Sequence, residues 1–169
     1  MIGYVPQEHI LFSKSVKDNI AFGKRNATLS DIEKAIKTAA FSEDLKRMPD
    51  GLETLIGERG VSISGGQKQR ISLARAFIRQ PEVLILDDSL SAVDAQTERR
   101  IIKNLQDMRA NQTTIIVTHR LSAIQQADWV LVLEDGQIVE EGTPNQLLNK
   151  GGWYAEQYQR QQHQRGGSK

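Results

Sequence analysis

LILDDSLSAVD, residues 84–94, is an apolar run that ends in two adjacent carboxylates, followed by a Ser-rich turn and a third acid. With Val83 in front, the run has the length and composition of a buried strand. Asp87 and Asp88 at its end repel each other unless a cation or a shared proton compensates them. Beyond Asp94, Ile101, Ile102, Leu105 and Met108 recur at helical spacing, which predicts a helix over 95–108 packed through that face.

The same alternation runs outward in both directions. IGYV is a short strand stopped before Pro6 and Gln7, and residues 10–22 read as a loop with a helical turn. Ser30-Asp31-Ile32-Glu33 matches a capping box for a helix with Ile32, Ala35, Ile36, Ala39 and Ala40 on one face. A second helical piece passes through Leu45 and Met48 and stops at Pro49-Asp50-Gly51. Ser64-Gly65-Gly66-Gln67 is another capping box, and Ile71, Ala74, Phe77 and Ile78 line the helix it opens.

TTIIVTH is a β-branched strand running up to His119, and a short helix is expected over 122–126. A hairpin then turns on Asp135-Gly136, and Thr143-Pro144 starts a helix through Leu147 and Leu148 that Gly151-Gly152 close. Residues 159–169, QRQQHQRGGSK, have nothing to bury and are expected to be disordered. Helices alternating with strands give an α/β class with a largely parallel sheet.

Bulk numbers narrow the function. The 169 residues suit one domain, and 22 Lys+Arg against 21 Asp+Glu leave a net charge of +1, too small a field to imply nucleic acid as partner. Cysteine is absent, which excludes disulfides and thiolate metal sites. VLIL and WVLVL fall well short of the roughly 18 residues of a spanning helix, so a soluble chain is expected.

Singly, each candidate site has a plain structural reading. SGGQ is a capped helix start, but adjacent glycines at a helix N-terminus also let free amides approach a phosphate. Asp87 and Asp88 are an ordinary strand end, or the first holds Mg²⁺ through water while the second orients or deprotonates an attacking water. His119 alone is a surface histidine, and Gln7 alone is uninformative.

Their order is more specific than any one of them. Gln7, then SGGQ, then the apolar run with Asp87-Asp88, then Ser91-Ala92-Val93-Asp94, then strand-His119 resembles the nucleotide-binding domain of ATP-binding-cassette (ABC) proteins over residues 1 to about 155. On that resemblance Gln7 fits the Q-loop and Ser64, Gly65, Gly66 and Gln67 the signature motif, with Ile63 where Leu is usual. Val83 to Asp87 fit the Walker B strand, residues 91–94 the D-loop and His119 the switch histidine.

QEHILFSKSVKDNI and GERG, residues 57–60, resemble exporters, where such loops face the transmembrane domain, with Glu58 and Arg59 as coupling residues. The resemblance implies a P-loop NTPase fold: a helical signature subdomain over about 10–80, with the RecA-like core in the remainder of 1–158. It implies ATP and Mg²⁺, a head-to-tail dimer with a second ABC subunit, and a place on the cytoplasmic face of a membrane. Asp87 and Gln7 would serve the metal, through water, and Asp88, His119 and Gln7 catalysis. Ser64 to Gln67 and Asp94 would serve nucleotide held by the opposite subunit.

Two departures matter. No GxxxxGK[ST] P-loop occurs, so the chain reads as the C-terminal portion of a longer protein, lacking the P-loop strand and inactive alone, with the TTIIVTH edge unpaired. Where the family's base is Glu, the chain has Asp88, one methylene shorter and retracted by ~1–1.5 Å; displacement on that scale costs about 100-fold in rate. An intact SGGQ beside a short acid points to one half of a heterodimeric exporter. A homodimeric exporter, a DNA-repair or chromosome-type ATPase head and a purely regulatory cassette are the alternatives. The head type is disfavoured because residues 7–64 carry no sustained heptads.

Overall fold

Ser15, Thr28, Ser64, Asp94 and Thr143 each sit in extended backbone, accept from an amide two or three residues on, and open a helix. Such caps contribute about 1 kcal/mol each and fix where helices begin irrespective of distant contacts. The computed structural model describes every residue except Arg59 and 167–169, and the backbone alone of 164–166. It divides into two units, residues 1–117 and 118 onward.

In the first unit, β1 (Ile2–Val5) leads through a loop to α1 (Val16–Ala21), α2 (Leu29–Thr38) and α3 (Ser42–Lys46). Then come α4 (Gly65–Phe77), β2 (Val83–Asp87), α5 (Ala95–Met108) and β3 (Thr113–Val117). The strands form a parallel sheet in the order β1-β2-β3, with Ile2 opposite Val83 and Asp87 opposite Val117. Ile20, Ile32, Phe41, Ile71, Leu73, Leu84 and Leu86 are buried.

Two arginines of α4 hold the helical part together. Arg70 pairs with Asp44, donates to the Ala40 carbonyl and lies 5.5 Å from the Phe41 ring. Arg75 donates to the carbonyls of Asn19 (2.9 Å) and Ile10 (2.8 Å) and sits over Phe12. Among the described residues β3 pairs on one side only, and Ile115 and Val117 on it are about half exposed, as expected for an unpaired edge.

Three local expectations shift. The capping box of α2 is Thr28 with Asp31, not Ser30 with Glu33. Thr28 has the extended backbone a cap requires and Asp31 Oδ2 returns the bond to Thr28 N, whereas Ser30 already lies inside the helix. Met108 is 52% exposed instead of buried, with its sulfur accepting from Thr38 Oγ1. The helix expected over 122–126 is a single 3-10 turn, Leu121–Ala123.

The second unit is built on a hairpin of β4 (Val130–Glu134) and β5 (Gln137–Gly142), turning on Asp135 and Gly136, both at positive φ as the tight turn demands. Thr143 caps α6 (Pro144–Lys150), which Gly151 ends at φ 69°. Leu121, Val130, Val132, Leu147 and Tyr154 form the core.

The chain then continues in α7 (Trp153–Gly166), through residues 159–166 where the composition suggested disorder. Glu140 accepts from Tyr154 N at its start. Tyr158 packs on the core and Gln161 bonds both Leu121 N and the His119 carbonyl, so one face finds partners that composition does not reveal. Residues 167–169 of the expected tail lie outside the described ones.

Candidate functional site

Strand β2 carries Asp87 as its last residue, and the chain turns at once. Asp88 has φ 46°, its N–H donates to Val117 O (2.8 Å), and its carbonyl accepts from the Ser91 hydroxyl (2.9 Å). The left-handed step is unusual for a residue with a Cβ, and here it is held by hydrogen bonds on both sides.

The two acids are answered by different donors. The Tyr4 hydroxyl, on β1, donates to Asp87 Oδ2 (2.9 Å), while Gln7, just past the same strand, donates through Nε2 to Asp88 Oδ2 (3.3 Å). The Asp87 carboxylate, by accepting a hydrogen bond from the phenol, holds the Tyr4 pKa above its ordinary value, with desolvation and the negative charge adding to it. Gln7 thus reaches the second acid, and Tyr4, which the sequence reading passes over, attends the first. No motif marks Tyr4; only the register Tyr4 opposite Ile85 puts it beside the strand end.

The donor set suits a hard cation. It is made of oxygens from Gln7, Asp87 and Asp88, and Mg²⁺ takes one or two carboxylates and completes its shell with water and phosphate oxygen. Among the described residues no cluster of three His, Cys, Asp or Glu could hold a metal by itself.

The glycine-rich start of α4 is a second element. Ser64 Oγ accepts from Gln67 N (3.2 Å), Gln67 Oε1 accepts from Ser64 N (2.9 Å), and Gln67 Nε2 donates to Asp44 (3.1 Å). The capping groups are therefore engaged within the unit. The amides of Gly65 and Gly66 belong to the first turn, which has no intrahelical acceptor, and Ser64 and Gly65 are exposed.

A Cβ on Gly66 would lie 2.9 Å from the Ala92 carbonyl oxygen, so only glycine lets the helix start approach the 91–94 loop this closely. Asp94 caps α5: its carboxylate accepts from the Thr97 hydroxyl (2.7 Å) and from the amides of Thr97 and Gln96, and these bonds lower its pKa to about 2.

His9 and Gln69 are further residues without a motif of their own. Gln69 is fully buried, its Oε1 accepts from Ala92 N (3.0 Å), and its Nε2 faces His9 Nε2 at 3.0 Å. Burial lowers the His9 pKa.

The GERG turn hangs on residues 13–16: Ile56 N donates to Lys14 O, and Gly57 at φ 101° packs against Ser13. Glu58 is exposed, and Arg59 lies outside the described residues. Ile10, Phe12, Phe22, Leu55 and Val61, on the segments around this turn, expose apolar surface. His119 opens the second unit, two residues past β3, with its carbonyl accepting from Gln161.

The chain is similar to known proteins. A family model described as ABC transporter matches residues 1–91. The chain is 59% identical over 161 residues to the probable multidrug resistance ABC transporter ATP-binding/permease protein YheI of Bacillus subtilis, covering 95% of this chain and 28% of that protein. It is 46% identical to the multidrug resistance-like ATP-binding protein MdlA of Escherichia coli, covering 95% of this chain and 27% of that protein. The solved structure of a bacterial Atm1-family ABC exporter with ATP bound superposes with a TM-score of 0.89 at 39% identity, covering 95% of this chain and 28% of that one. The chain spans just over a quarter of the length of these relatives.

Proposed function

This chain belongs to the ABC transporter family, and from that premise we propose that it forms part of the ATP-hydrolysing domain of an exporter. The observation that carries the reading is the Gln7–Asp88 bond, which unites a Q-loop residue with the acid after the Walker B strand.

In this reading the Asp88 carboxylate orients the attacking water and accepts its proton, with Gln7 holding the carboxylate in place. Asp87, steadied by Tyr4, would hold Mg²⁺ through a carboxylate oxygen, and the ion would supply positive charge to offset that of the phosphates. His119 donates toward the transferred phosphoryl group. The first-turn amides of α4 and the Ser64 hydroxyl stabilise the phosphates of a nucleotide held by a second ABC subunit. Phosphoryl transfer asks mainly for positioning and charge stabilisation, which these groups supply without covalent chemistry.

Asp88 is the short form of the family's acid, so its own site is slow, while SGGQ completes the fast site of a non-identical partner. On its own the chain lacks the P-loop amides and lysine that cradle β- and γ-phosphates, and is inactive. The exposed apolar surface of Ile10, Phe12, Phe22, Leu55 and Val61, with Glu58 and Arg59, docks the transporter's transmembrane domain at the cytoplasmic face of the membrane. The ATP-binding/permease name of YheI and the similarity to a solved ABC exporter support this, and favour it over a chromosome-type head.

The test is steady-state ATP hydrolysis by the full-length transporter bearing this sequence. Ser64→Asp keeps a good helix cap but sets a carboxylate against the phosphates, and turnover should fall about 100-fold. Unchanged turnover in a folded Ser64→Asp transporter would refute the reading.

A further inference from the structure

Three loops of the first unit carry the chemistry, and one buried side chain lies between two of them. Gln69 sits on α4, one turn beyond the glycines, and is fully buried. A buried amide with an unmet donor or acceptor costs about 1–3 kcal/mol, so where its two ends go matters. Its oxygen accepts from Ala92 N–H in the 91–94 loop at 3.0 Å. Because a backbone amide can only donate, this contact fixes the oxygen end of the side chain. The nitrogen end must then donate to His9 Nε2, 3.0 Å away, which puts the imidazole proton on Nδ1.

That Nδ1 is buried and has no partner among the described residues. The ring is thus held in this orientation at the expense of one unsatisfied donor. The reverse tautomer would set N–H against NH₂ across 3.0 Å. Gly66 supplies an independent contact, since its missing Cβ lets the helix start approach the Ala92 carbonyl. Ala92 is therefore held by its N–H and crowded at its C=O by the same helix, three residues apart.

We propose that Gln69 is a positioning residue for ATP hydrolysis that locks the segment after Gln7 to the 91–94 loop of the same chain, so that the two take up or lose their working geometry together. The inference rests on the ATPase reading above. Gln69 touches no nucleotide; it acts through His9, two residues from Gln7, and through Ala92, two residues from Asp94. Two hydrogen bonds to one rigid amide leave little room for one loop to move while the other stays.

The experiment is a double-mutant cycle in the full-length transporter. Gln69→Met keeps the length and removes both bonds; His9→Phe keeps an aromatic ring and removes one. Each is expected to lower kcat for ATP about 10-fold with KM for ATP within about twofold, and the double variant to be no slower than Gln69→Met. Independent effects that multiply, or an unchanged kcat in a folded Gln69→Met protein, would overturn the proposal.

Should Gln69→Met lose its melting transition, His9→Phe decides alone: a kcat loss at constant KM supports the lock and an unchanged kcat refutes it. If the wild-type transporter hydrolyses no ATP, the ATPase reading fails instead. The lock is then read from exchange of the Ala92 amide in this chain, fast in Gln69→Met if the bond exists and unchanged if it does not.

Discussion

The Gln7 side-chain amide donates to the Asp88 carboxylate across 3.3 Å, joining residues 81 apart in sequence. Asp88 itself stands in left-handed backbone, tied to Val117 and Ser91, so its carboxylate has few places to go. The reach of that carboxylate is therefore set by side-chain length.

Asp88→Glu adds one methylene and moves the carboxylate out by ~1–1.5 Å, a displacement of the size that changes rates about 100-fold at a reacting centre. In the full-length transporter the variant should raise ATP turnover at least ~2-fold, as a second site begins to work beside the first. Steady-state phosphate release measures this, and an unchanged rate would rule out a slow site at Asp88.

Tyr4 and Asp87 give an alkaline signature. The carboxylate accepts a hydrogen bond from the phenol and opposes the phenolate, so Tyr4 ionises above its ordinary value of 10.0. A folded pKa raised above the unfolded one adds stability that is complete below about pH 10 and is lost as pH rises through the folded value. In Asp87→Asn, one tyrosine should titrate lower than in the wild type. Carbon NMR of the ring resonances can assign it against Tyr154, which burial also raises.

The cap at Asp94 predicts acid sensitivity of the opposite sign. Hydrogen bonds from Thr97 and Gln96 lower its pKa from 3.8 to about 2, and Asp31, bonded to Lys24 and Thr28, is lowered to about 2 as well. Such groups stabilise the fold above about pH 4 and stop doing so as pH falls through about 2. Asparagine caps as well as aspartate, so Asp94→Asn should leave stability at neutral pH within about 0.5 kcal/mol while flattening its decline between about pH 4 and 2. Urea melts across that range compare the two.

Two adjacent glycines should answer differently to the same change. A Cβ at Gly66 meets the Ala92 carbonyl at 2.9 Å, whereas one at Gly65 lies 3.9 Å from the Ala92 methyl, ordinary contact. Gly66→Ala should cost about 1–3 kcal/mol through overpacking, and Gly65→Ala should stay within about 0.5 kcal/mol. Denaturant unfolding at neutral pH separates them, and equal effects would contradict the packing described here.

Elements whose hydrogen bonds close within a few residues were legible without coordinates. Ser64 and Gln67 are three apart, Asp94 and Thr97 three apart, and Asp135-Gly136 forms its turn within itself, so α4, the start of α5 and the β4-β5 hairpin appear where residue types put them. Even at this range competition is local and fine. Thr28 outbids Ser30 as the cap of α2 because Asp31, not Glu33, has the short side chain that bonds Thr28 and Lys24 together. The order of Gln7, SGGQ, Asp87-Asp88 and His119 was equally readable, because it needs only succession along the chain.

Pairings across the sheet and between loops were not. Tyr4 meets Asp87 from 83 residues away, Gln7 chooses Asp88 over Asp87, and Gln69 reaches His9 60 residues off. Strand alternation says that neighbouring side chains diverge, but not which donors the parallel register of β1 on β2 will set beside them. The helicity of 159–166 belongs to the same class, since Tyr158 and Gln161 find their partners only after Leu121 and the hairpin are in place. By itself, then, the sequence determined the helix starts, the turns and the identity of the chemical groups. Only the tertiary structure decided which donors answer Asp87 and Asp88, because Tyr4 and Gln7 reach them across the sheet from more than 80 residues away.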